Sequence, residues 1–206
     1  PITFATEEIG WYAVQIIAND ISTTGAKTKW LLATTLLPEG LTNEKLVTEI
    51  SDQLFIACRQ MGISFVNGHT EITHGIDRPI LMCSAGAEIS HDKLIIPSGA
   101  QPGDKIMLTK SIPIEGTALL AKEFPERLGG LLSEEDIETA KRYTHIPGIG
   151  ISKDAEIAVK YGHITAMHDP TEGGLSSALW ELSEACGREL RIRTSSIPIS
   201  PISAKA

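Results

Sequence analysis

The sequence predicts a two-lobed protein of the mixed α/β (α/β or α+β) class, because strand and helix patterns alternate in both halves of the chain. Apolar residues at helical spacing indicate the helices, and short runs rich in strand-forming residues indicate the strands. The segment 98–104 (Ser-Gly-Ala-Gln-Pro-Gly-Asp) is dense in turn residues and is the best candidate linker. We therefore expect one lobe over residues 1–97 and a second over residues 98–206.

The first half predicts two helices and three strands. Helical spacing of apolar residues predicts a helix over 8–24, which Gly25 ends. Asn43 is a predicted cap for a second helix that runs to Met61 and ends at Gly62. The predicted strands cover 28–37, 63–66 and 80–85, of which 63–66 is expected to be short and buried, and the segment 67–71 is predicted to be a polar turn.

The second half predicts four helices and three strands. Three helices are predicted over 116–124, 134–143 and 152–161, and two strands over 105–109 and 190–193. The segment 165–169 is predicted to be a buried strand that ends at Asp169, with a helix from that residue to 185 and a stop at Gly187. Asp169 is the predicted N-cap of this helix, and Pro170 occupies its first position, where no backbone N–H is needed. Glu172 has the spacing that a capping box requires.

Gly173 and Gly174 are unusual residues for the first turns of that helix. Each glycine costs about 1 kcal/mol relative to alanine in a helix. Two adjacent glycines indicate that another group approaches the backbone closely, and a helix N-terminus is a natural site for phosphate. The residues alone leave two interpretations open, namely phosphate or metal chemistry and a well-capped helix packed tightly against a neighbour.

Composition excludes several classes of function. The 206-residue chain has a net charge of -8 and a pI near 5.3, which argue against a nucleic-acid partner or an acidic membrane surface. An acidic protein that binds phosphates usually needs a divalent cation to bridge the like charges. No apolar run reaches membrane-spanning length, and the first residues lack a signal-peptide pattern. Cys58, Cys83 and Cys186 are far apart in apolar stretches, which predicts reduced thiols and a cytoplasmic location.

Three polar clusters at the ends of apolar elements are the candidates for chemistry. They are 19–20 (Asn-Asp), 68–71 (Gly-His-Thr-Glu) and 168–171 (His-Asp-Pro-Thr). Taken singly, the first cluster fits a solvated acid on the polar side of a helix about as well as a functional site. The second fits a surface turn about as well as a functional site. Together they offer oxygen ligands from both lobes, which suits Mg²⁺ shared with phosphates in a cleft. The chain has no P-loop pattern, and 148–150 (Gly-Ile-Gly) is interpreted as a flexible turn.

Four motifs in order carry a resemblance to a known superfamily. They are the three clusters above, the last extended to 168–175, and the segment 103–110 (Gly-Asp-Lys-Ile-Met-Leu-Thr-Lys). In this order they resemble the aminoimidazole-ribonucleotide (AIR) synthase-related, or PurM-like, superfamily, which includes HypE, selenophosphate synthetase and thiamine-monophosphate kinase. The His-Asp-Pro-Thr motif, the Gly-Gly-Leu that follows it, and 115–117 (Glu-Gly-Thr) are similar to the HypE group.

The resemblance implies a two-lobed PurM-like fold in which the N-terminal lobe forms a β-barrel across a homodimer. It also implies ATP and Mg²⁺ in a cleft by the dimer interface, and other hydrogenase maturation proteins as partners. Asp20 and Asp169 resemble the metal-binding acids, and with His69 they form the expected catalytic set. The residues expected to contact the nucleotide are Asn19, Gly68, Thr70, Thr171, Gly173 and Gly174.

The chain departs from the superfamily pattern in two ways. His69 stands at a position where HypE and the kinase have Asp and AIR synthase has Glu. A histidine at this position is closer to the pattern of selenophosphate synthetase. His69 could therefore contact phosphate instead of Mg²⁺, with Glu71 as a substitute metal ligand. The family's glycine- and aspartate-rich first segment and the tail whose terminal Cys carries the carbamoyl group in HypE are not among these residues. We therefore expect a piece of a longer protein, truncated at both ends.

The resemblance implies an ATP-dependent enzyme of the HypE group that activates a carbonyl or carboxamide oxygen by phosphorylation. In HypE a protein thiocarboxamide is dehydrated to a thiocyanate. A first alternative is a small-molecule ligase or kinase of the AIR synthase or selenophosphate synthetase type. A second alternative is a non-catalytic dimer that binds nucleotide or a maturation partner, which the replacement of an acid by His69 makes credible.

Overall fold

The structure is a computed structural model that describes residues 2–3 and 7–206. The chain divides into two compact units. The first contains the residues up to Ile95 together with Ala155–Gly162, and the second contains Ile96–Asp154 and His163–Ala206. Among the described residues, no helix is both long enough and apolar enough to cross a membrane.

The first unit contains a four-stranded sheet and two complete helices, together with most of a third helix, which residues Ala155–Gly162 supply from the second half of the chain. In chain order the strands and the two complete helices are β1 (Ile2–Thr3), α1 (Ile9–Ser22), β2 (Trp30–Pro38), α2 (Glu44–Met61), β3 (Ser64–Thr73) and β4 (Ile80–Gly86). The strand order is β1-β4-β2-β3, so β3 lies at an edge. It runs parallel to β2, whereas β4 pairs with β2 in the antiparallel sense.

Helices α1 and α2 pack on one face of the sheet. Alternate residues of β2, among them Leu31, Ala33 and Leu37, are buried in the core that α1 and α2 cover. Gly10 allows the two helices to approach closely, because a Cβ at this position would lie 2.7 Å from the carbonyl oxygen of Ile50. The opposite face of the sheet is therefore covered by neither α1 nor α2.

The predicted helices of this unit are confirmed, with their end signals. The side chain of Asn43 accepts a hydrogen bond from the backbone N–H of Leu46, and Gly62 ends α2 in the left-handed conformation at φ 68°. Gly25, the predicted end of α1, has a φ of 80°. The strands predicted over 28–37 and 80–85 are confirmed as β2 and β4.

The prediction for residues 63–71 is wrong in two respects. The segment 67–71 is not a turn, because β3 continues through it to Thr73. Nor is the strand buried, since most of its residues are exposed. The Asn-Gly dipeptide at 67–68 is a typical turn signal, but pairing with β2 along its whole length overrides that local preference. A register shift between Leu31 and Leu32 accommodates one extra residue in β3.

The second unit is mainly helical. Its helices are α3 (Ile114–Glu123), α4 (Pro125–Leu128), α5 (Glu134–Lys141), the start of α6 (Ser152–Tyr161) and α7 (Gly174–Cys186). They include the helices predicted over 116–124, 134–143 and 152–161. A small core joins α3, α4 and α5 through Ala121, Leu128, Leu132, Ile137 and Ala140. Gly187 ends α7 at φ 62°, as predicted.

The strands predicted over 105–109, 165–169 and 190–193 are wrong, because these segments are not strands in the structure. Between residues 96 and 206, all of which are described, the single β-bridge joins Ile112 to Ile199. Strand-forming composition produces a strand only where the backbone N–H and C=O groups pair with a neighbouring strand. In this unit these segments lack such a ladder, so they remain extended or irregular backbone.

Candidate functional site

The last turn of α1 carries Asn19 and Asp20 in different surroundings. Asn19 is buried, at 8% exposure, whereas Asp20 is exposed. The backbone carbonyl of Asp20 accepts a hydrogen bond from the Thr23 hydroxyl at 2.8 Å, which fixes the end of the helix. An acid at this end of a helix meets the negative end of the helix dipole, so its carboxylate gains from a bound cation.

Strand β3 divides its candidate residues between two faces of the sheet. His69 lies opposite Thr34 and Thr70 lies opposite Thr35, and residues in register share a face. Thr35 is buried on the side that carries the helices. The side chain of Thr70 therefore faces α2, and the side chain of His69 faces the opposite side. A ligand bound on one face of the sheet therefore cannot contact the side chains of all three residues 69–71.

The face that carries His69 has a shallow groove of about 410 Å³. It is lined by Leu32, Ala33, Thr34, Asn67, Gly68, His69, Met82 and Ser84. His69 Nε2 lies 3.4 Å from Glu71 Oε2, and both side chains are well exposed. A histidine beside a carboxylate on an open sheet face is accessible to a phosphate or a metal ion. We call this region the outer groove.

A smaller cleft of about 210 Å³ lies on the α2 side of the same strand. Ser51, Leu54 and Phe55 of α2 line it on one side, and Phe65, Gly68 and Thr70 of β3 line it on the other. Two of these residues, Phe55 and Phe65, form an edge-on aromatic pair with ring centroids 5.1 Å apart. The cleft therefore combines apolar side chains with the hydroxyl groups of Thr35, Ser51 and Thr70.

In the second unit, His168 and Asp169 belong to an irregular segment that precedes α7. Their side chains are largely buried, at 25% and 16% exposure. His168 Nδ1 lies 3.2 Å from the backbone carbonyl oxygen of Asp169 and 3.9 Å from its carboxylate oxygen Oδ1. His168 Nε2 lies 2.7 Å from Glu181 Oε2 on α7. The imidazole thus connects the Asp169 residue to the helix.

The predicted start of α7 is wrong. Asp169 is not its N-cap and Glu172 does not complete a capping box, because the helix begins at Gly174 with Gly173 as N-cap. Both glycines have positive φ values, 76° and 64°, so neither has the right-handed helical conformation that a helix starting at Asp169 would require. A Cβ at Gly173 would lie 2.0 Å from the hydroxyl oxygen of Ser177. The backbone N–H of Gly174 donates to the carbonyl of Thr171 at 3.0 Å, which closes the turn.

Two carboxylates near the helix starts of this unit influence each other. Burial raises the pKa of Glu115, in the first turn of α3, above its usual value, and the charge of Glu172 raises it further. The pKa of Glu172 is lowered, chiefly by a hydrogen bond from its own backbone N–H and then by one from the side chain of Thr171. Burial therefore favours the neutral form of Glu115.

Lys110 is a residue whose role sequence reasoning missed. Its φ is 62°, which is rare for a residue with a side chain. Its ammonium group donates to the carbonyl oxygens of Gly148 and Gly150 at 2.8 and 2.6 Å, and it lies 3.4 Å from Asp154 Oδ2. The predicted turn at 148–150 is present, and these hydrogen bonds from Lys110 hold it in place. No pattern in the sequence signals a bond between residues about 40 positions apart.

The described residues contain no group of three His, Cys, Asp or Glu side chains that could hold a metal ion unaided. This is compatible with Mg²⁺ in a nucleotide site, because that ion is usually held by one or two carboxylates and by the phosphates. The structure brings His69 close to Glu71, and His168 close to Asp169 and Glu181. The combination of Asp20 with Asp169 stays a prediction.

Comparison with protein-family models decides which family this is. The model for the N-terminal domain of AIR synthase related protein matches residues 1–88, and the model for its C-terminal domain matches residues 101–203. The chain belongs to the AIR synthase related protein family. The predicted membership is thereby confirmed, and the two domain models follow each other in the order that the motifs indicated.

Individual members of the family give a similar result. The carbamoyl dehydratase HypE of Rhizobium leguminosarum bv. viciae is 30% identical over 208 residues, which cover 100% of this chain and 56% of that protein. The chain thus spans little more than half the length of this relative. The predicted similarity to the HypE group is confirmed.

Solved structures show the same fold. A crystal structure of the hydrogenase maturation protein HypE in complex with ATP superposes with a TM-score of 0.78 at 24% identity, over 95% of this chain and 56% of that one. A HypE–HypF complex gives a TM-score of 0.81 at 22% identity, over 99% of this chain and 66% of that one. The PurM-like fold of mixed α/β class is therefore confirmed.

Proposed function

We propose that the protein is an ATP-dependent enzyme of the HypE-like group. The observation that carries the proposal is the match over the whole chain to a relative named carbamoyl dehydratase, together with the fold of a HypE solved with ATP. The proposed substrate is a protein thiocarboxamide, that is, a carboxamide group attached to a partner protein through a sulfur atom. We also propose the division of the chain near residues 97 and 98 as its domain boundary.

The proposed reaction is a dehydration driven by phosphoryl transfer. The amide oxygen attacks the γ-phosphorus of ATP, the bond to the β-phosphate oxygen breaks, and ADP leaves. The phosphorylated oxygen then leaves as inorganic phosphate while the carbon–nitrogen bond becomes triple. The amide nitrogen loses its two protons, one of which remains on phosphate while the other is released. Such chemistry requires positioning and charge neutralisation more than a protein nucleophile.

Asp20 and Asp169 are the proposed ligands of Mg²⁺. When bound, the ion would neutralise charge on the transferring phosphoryl group. A carboxylate at the end of α1 suits this role, because the helix dipole disfavours its charge there unless a cation is present. A small number of carboxylate ligands also matches the way in which Mg²⁺ is usually held, since phosphates and waters complete its shell.

The other candidate residues receive roles from their positions in the fold. His69 faces the outer groove, so we propose that it contacts phosphate, with Glu71 beside it as a further metal ligand. Thr70 faces α2, so it would contribute through its main chain. The remaining proposed nucleotide contacts are Asn19, Gly68, Thr171, Gly173 and Gly174. The N–H groups at the start of α7 suit an anion, because the first turn of a helix leaves them without helical partners.

We further propose that two copies of the protein pair through the sheet of the first unit. Strand β3 is an edge strand of ten residues, and a long edge normally pairs or is protected. The face of the sheet opposite α1 and α2 also exposes Leu32 and Met82 at 40% and 37%, which is apolar surface suited to burial. Other hydrogenase maturation proteins are the proposed partners of the assembled enzyme, in line with the HypE–HypF complex named above.

One observation favours a different function. His69 stands at a position where several members of the superfamily have an acid, and a histidine supplies no negative charge for Mg²⁺. The second candidate is accordingly a non-catalytic dimer that binds nucleotide.

Calorimetry and a phosphate-release assay on the full-length protein separate the two candidates. The enzyme proposal predicts that Mg-ATP binds and that phosphate release begins when a partner protein bearing the carboxamide is added. Binding of Mg-ATP without any release, in the presence of that partner, would favour the non-catalytic dimer. A protein that does not bind Mg-ATP at all would contradict both.

A further inference from the structure

The segment that presents Asp169 has no regular secondary structure of its own. Residues 163–171, all described, are neither helix nor strand. No ladder or helix hydrogen bonds therefore fix the position of Asp169. Side-chain contacts of neighbouring residues help to hold the segment that carries Asp169, and two of them are well defined.

The first contact fastens the start of the segment. The hydroxyl of Thr165 donates to the Asp104 carboxylate at 2.6 Å, and the same oxygen accepts from the backbone N–H of Gln101 at 2.8 Å. These bonds lower the pKa of Asp104, with the bond from Thr165 as the larger cause. Gly99 packs directly against the backbone of Thr165. A Cβ at Gly99 would lie 2.2 Å from the carbonyl oxygen of Thr165.

The second contact fastens the end of the segment, and His168 makes it. One ring nitrogen contacts the carbonyl oxygen of Asp169 at 3.2 Å, and the other contacts Glu181 at 2.7 Å. Glu181 belongs to α7, a helix of 13 residues, which is a more rigid support than the irregular segment itself. The imidazole is largely buried, so neighbouring atoms restrict its rotation.

We propose that His168 is a positioning residue that holds Asp169 in place against Glu181. This inference rests on the proposed function, in which Asp169 binds Mg²⁺, and adds the way in which the acid is oriented. His168 itself touches neither the metal nor the nucleotide. Partners that orient a metal ligand in this way typically contribute 10- to 100-fold to metal affinity.

Substitutions of Glu181 test the proposal without altering the histidine. The full-length variants are Glu181→Ala, Glu181→Gln and, as a matched control, Glu184→Ala on the same helix, where the exposed acid has the same charge. Glutamine can still accept a hydrogen bond from the imidazole. The probe is a non-hydrolysable ATP analogue with Mg²⁺, titrated in a calorimeter, and the ring nitrogens of His168 are observed by ¹H–¹⁵N NMR.

The proposal predicts that Glu181→Ala weakens Mg-dependent binding of the analogue by about 10-fold. Glu181→Gln should stay within about 3-fold of the wild type, and Glu184→Ala should not change binding, because the hydrogen bond rather than the charge is what matters. The His168 ring signals should shift in Glu181→Ala only. Simple electrostatics predicts the opposite sign, since removing an acid lowers the repulsion of the anionic Mg-nucleotide complex.

Two results would overturn the proposal, and they differ. If the wild type binds the analogue and Glu181→Ala binds like Glu184→Ala, His168 does not position Asp169, while the proposed function is unaffected. If the wild type itself does not bind the analogue, the proposed function fails, and the positioning role fails with it.

Discussion

His69 and Thr70 are adjacent in the sequence but face opposite sides of the sheet. His69 is in register with Thr34 and lines the outer groove, whereas Thr70 is in register with Thr35 and lines the cleft beside α2. This follows from the two-residue repeat of a strand. A turn at this place would have allowed both side chains to contact one phosphate, but a continuous strand does not.

The opposite orientation of these residues predicts unequal effects on nucleotide binding. His69→Ala should weaken binding of Mg-ATP by about 10-fold, because a hydrogen bond to a charged group contributes roughly 1.5 kcal/mol or more. Thr70→Ala should change it by less than about 3-fold, because only the main chain of Thr70 is proposed to take part. Calorimetry on the full-length protein measures both. A larger loss in Thr70→Ala would place the nucleotide on the α2 side.

The glycines before α7 predict a graded loss of stability. Gly174→Ala should lower the free energy of unfolding by about 1 kcal/mol, because its φ is 64° but no atom lies within 4 Å of the new Cβ. Gly173→Ala should cost more, because its φ is 76° and Ser177 obstructs the new Cβ. Gly130→Ala is the matched control, since neither condition applies there. Urea unfolding gives the order, and equal stability of all three variants would contradict this geometry.

The contact of Lys110 with the 148–150 turn predicts a specific loss of stability. Lys110→Met keeps the apolar stem but removes the ammonium group from two carbonyl oxygens and from Asp154, so it should cost about 2–3 kcal/mol. Lys141→Met is the control, because its pair with Glu138 is more exposed and should contribute at most about 0.5 kcal/mol. Thermal unfolding compares them. Similar losses in the two variants would show that Lys110 does not fasten the turn.

The burial of Glu115 predicts that replacing this acid with a neutral residue stabilises the protein at pH 7 but not at pH 4. Burial raises the pKa of this acid in the folded protein, so the folded state holds its proton more tightly than the unfolded state. The contribution of Glu115 is therefore complete below the unfolded pKa of 4.5 and is lost as the pH rises through the folded pKa. Glu115→Gln cannot ionise, so its melting temperature should exceed that of the wild type at pH 7 but not at pH 4.

The control for this experiment is Glu126→Gln, which makes the same chemical change at an exposed position. It should show no pH-dependent difference of this kind. A Glu115→Gln variant whose melting temperature stays below that of the wild type at pH 7 would contradict the inferred burial cost.

Local signals in the sequence predict much of the first unit. Asn43 and Gly62 mark the ends of α2 because a side-chain cap and a left-handed glycine act on backbone groups a few residues away. Strand β3 is different. Its Asn-Gly dipeptide favours a turn locally, and only pairing with β2, 35 residues earlier in the chain, makes it a strand.

The candidate site is harder to predict for the same reason. The motif around Asp169 is recognisable, but the contact of His168 with Glu181 joins residues 13 positions apart across an irregular segment. Lys110 bonds to Gly150 over 40 positions. Neither contact has a periodic pattern, since both depend on how distant segments fold together. The capping-box pattern at Asp169 failed because the positive φ values of Gly173 and Gly174 delay the helix.

Substitution of the two proposed metal ligands tests the central claim most directly. Asp20→Asn and Asp169→Asn keep the size and shape of each side chain and remove its charge. With full-length protein and its carboxamide-bearing partner, each variant should lose at least about 100-fold of the phosphate-release rate, as expected when a phosphoryl group loses its metal. The melting temperature should remain close to that of the wild type. Phosphate release at the wild-type rate in both variants would contradict the claim.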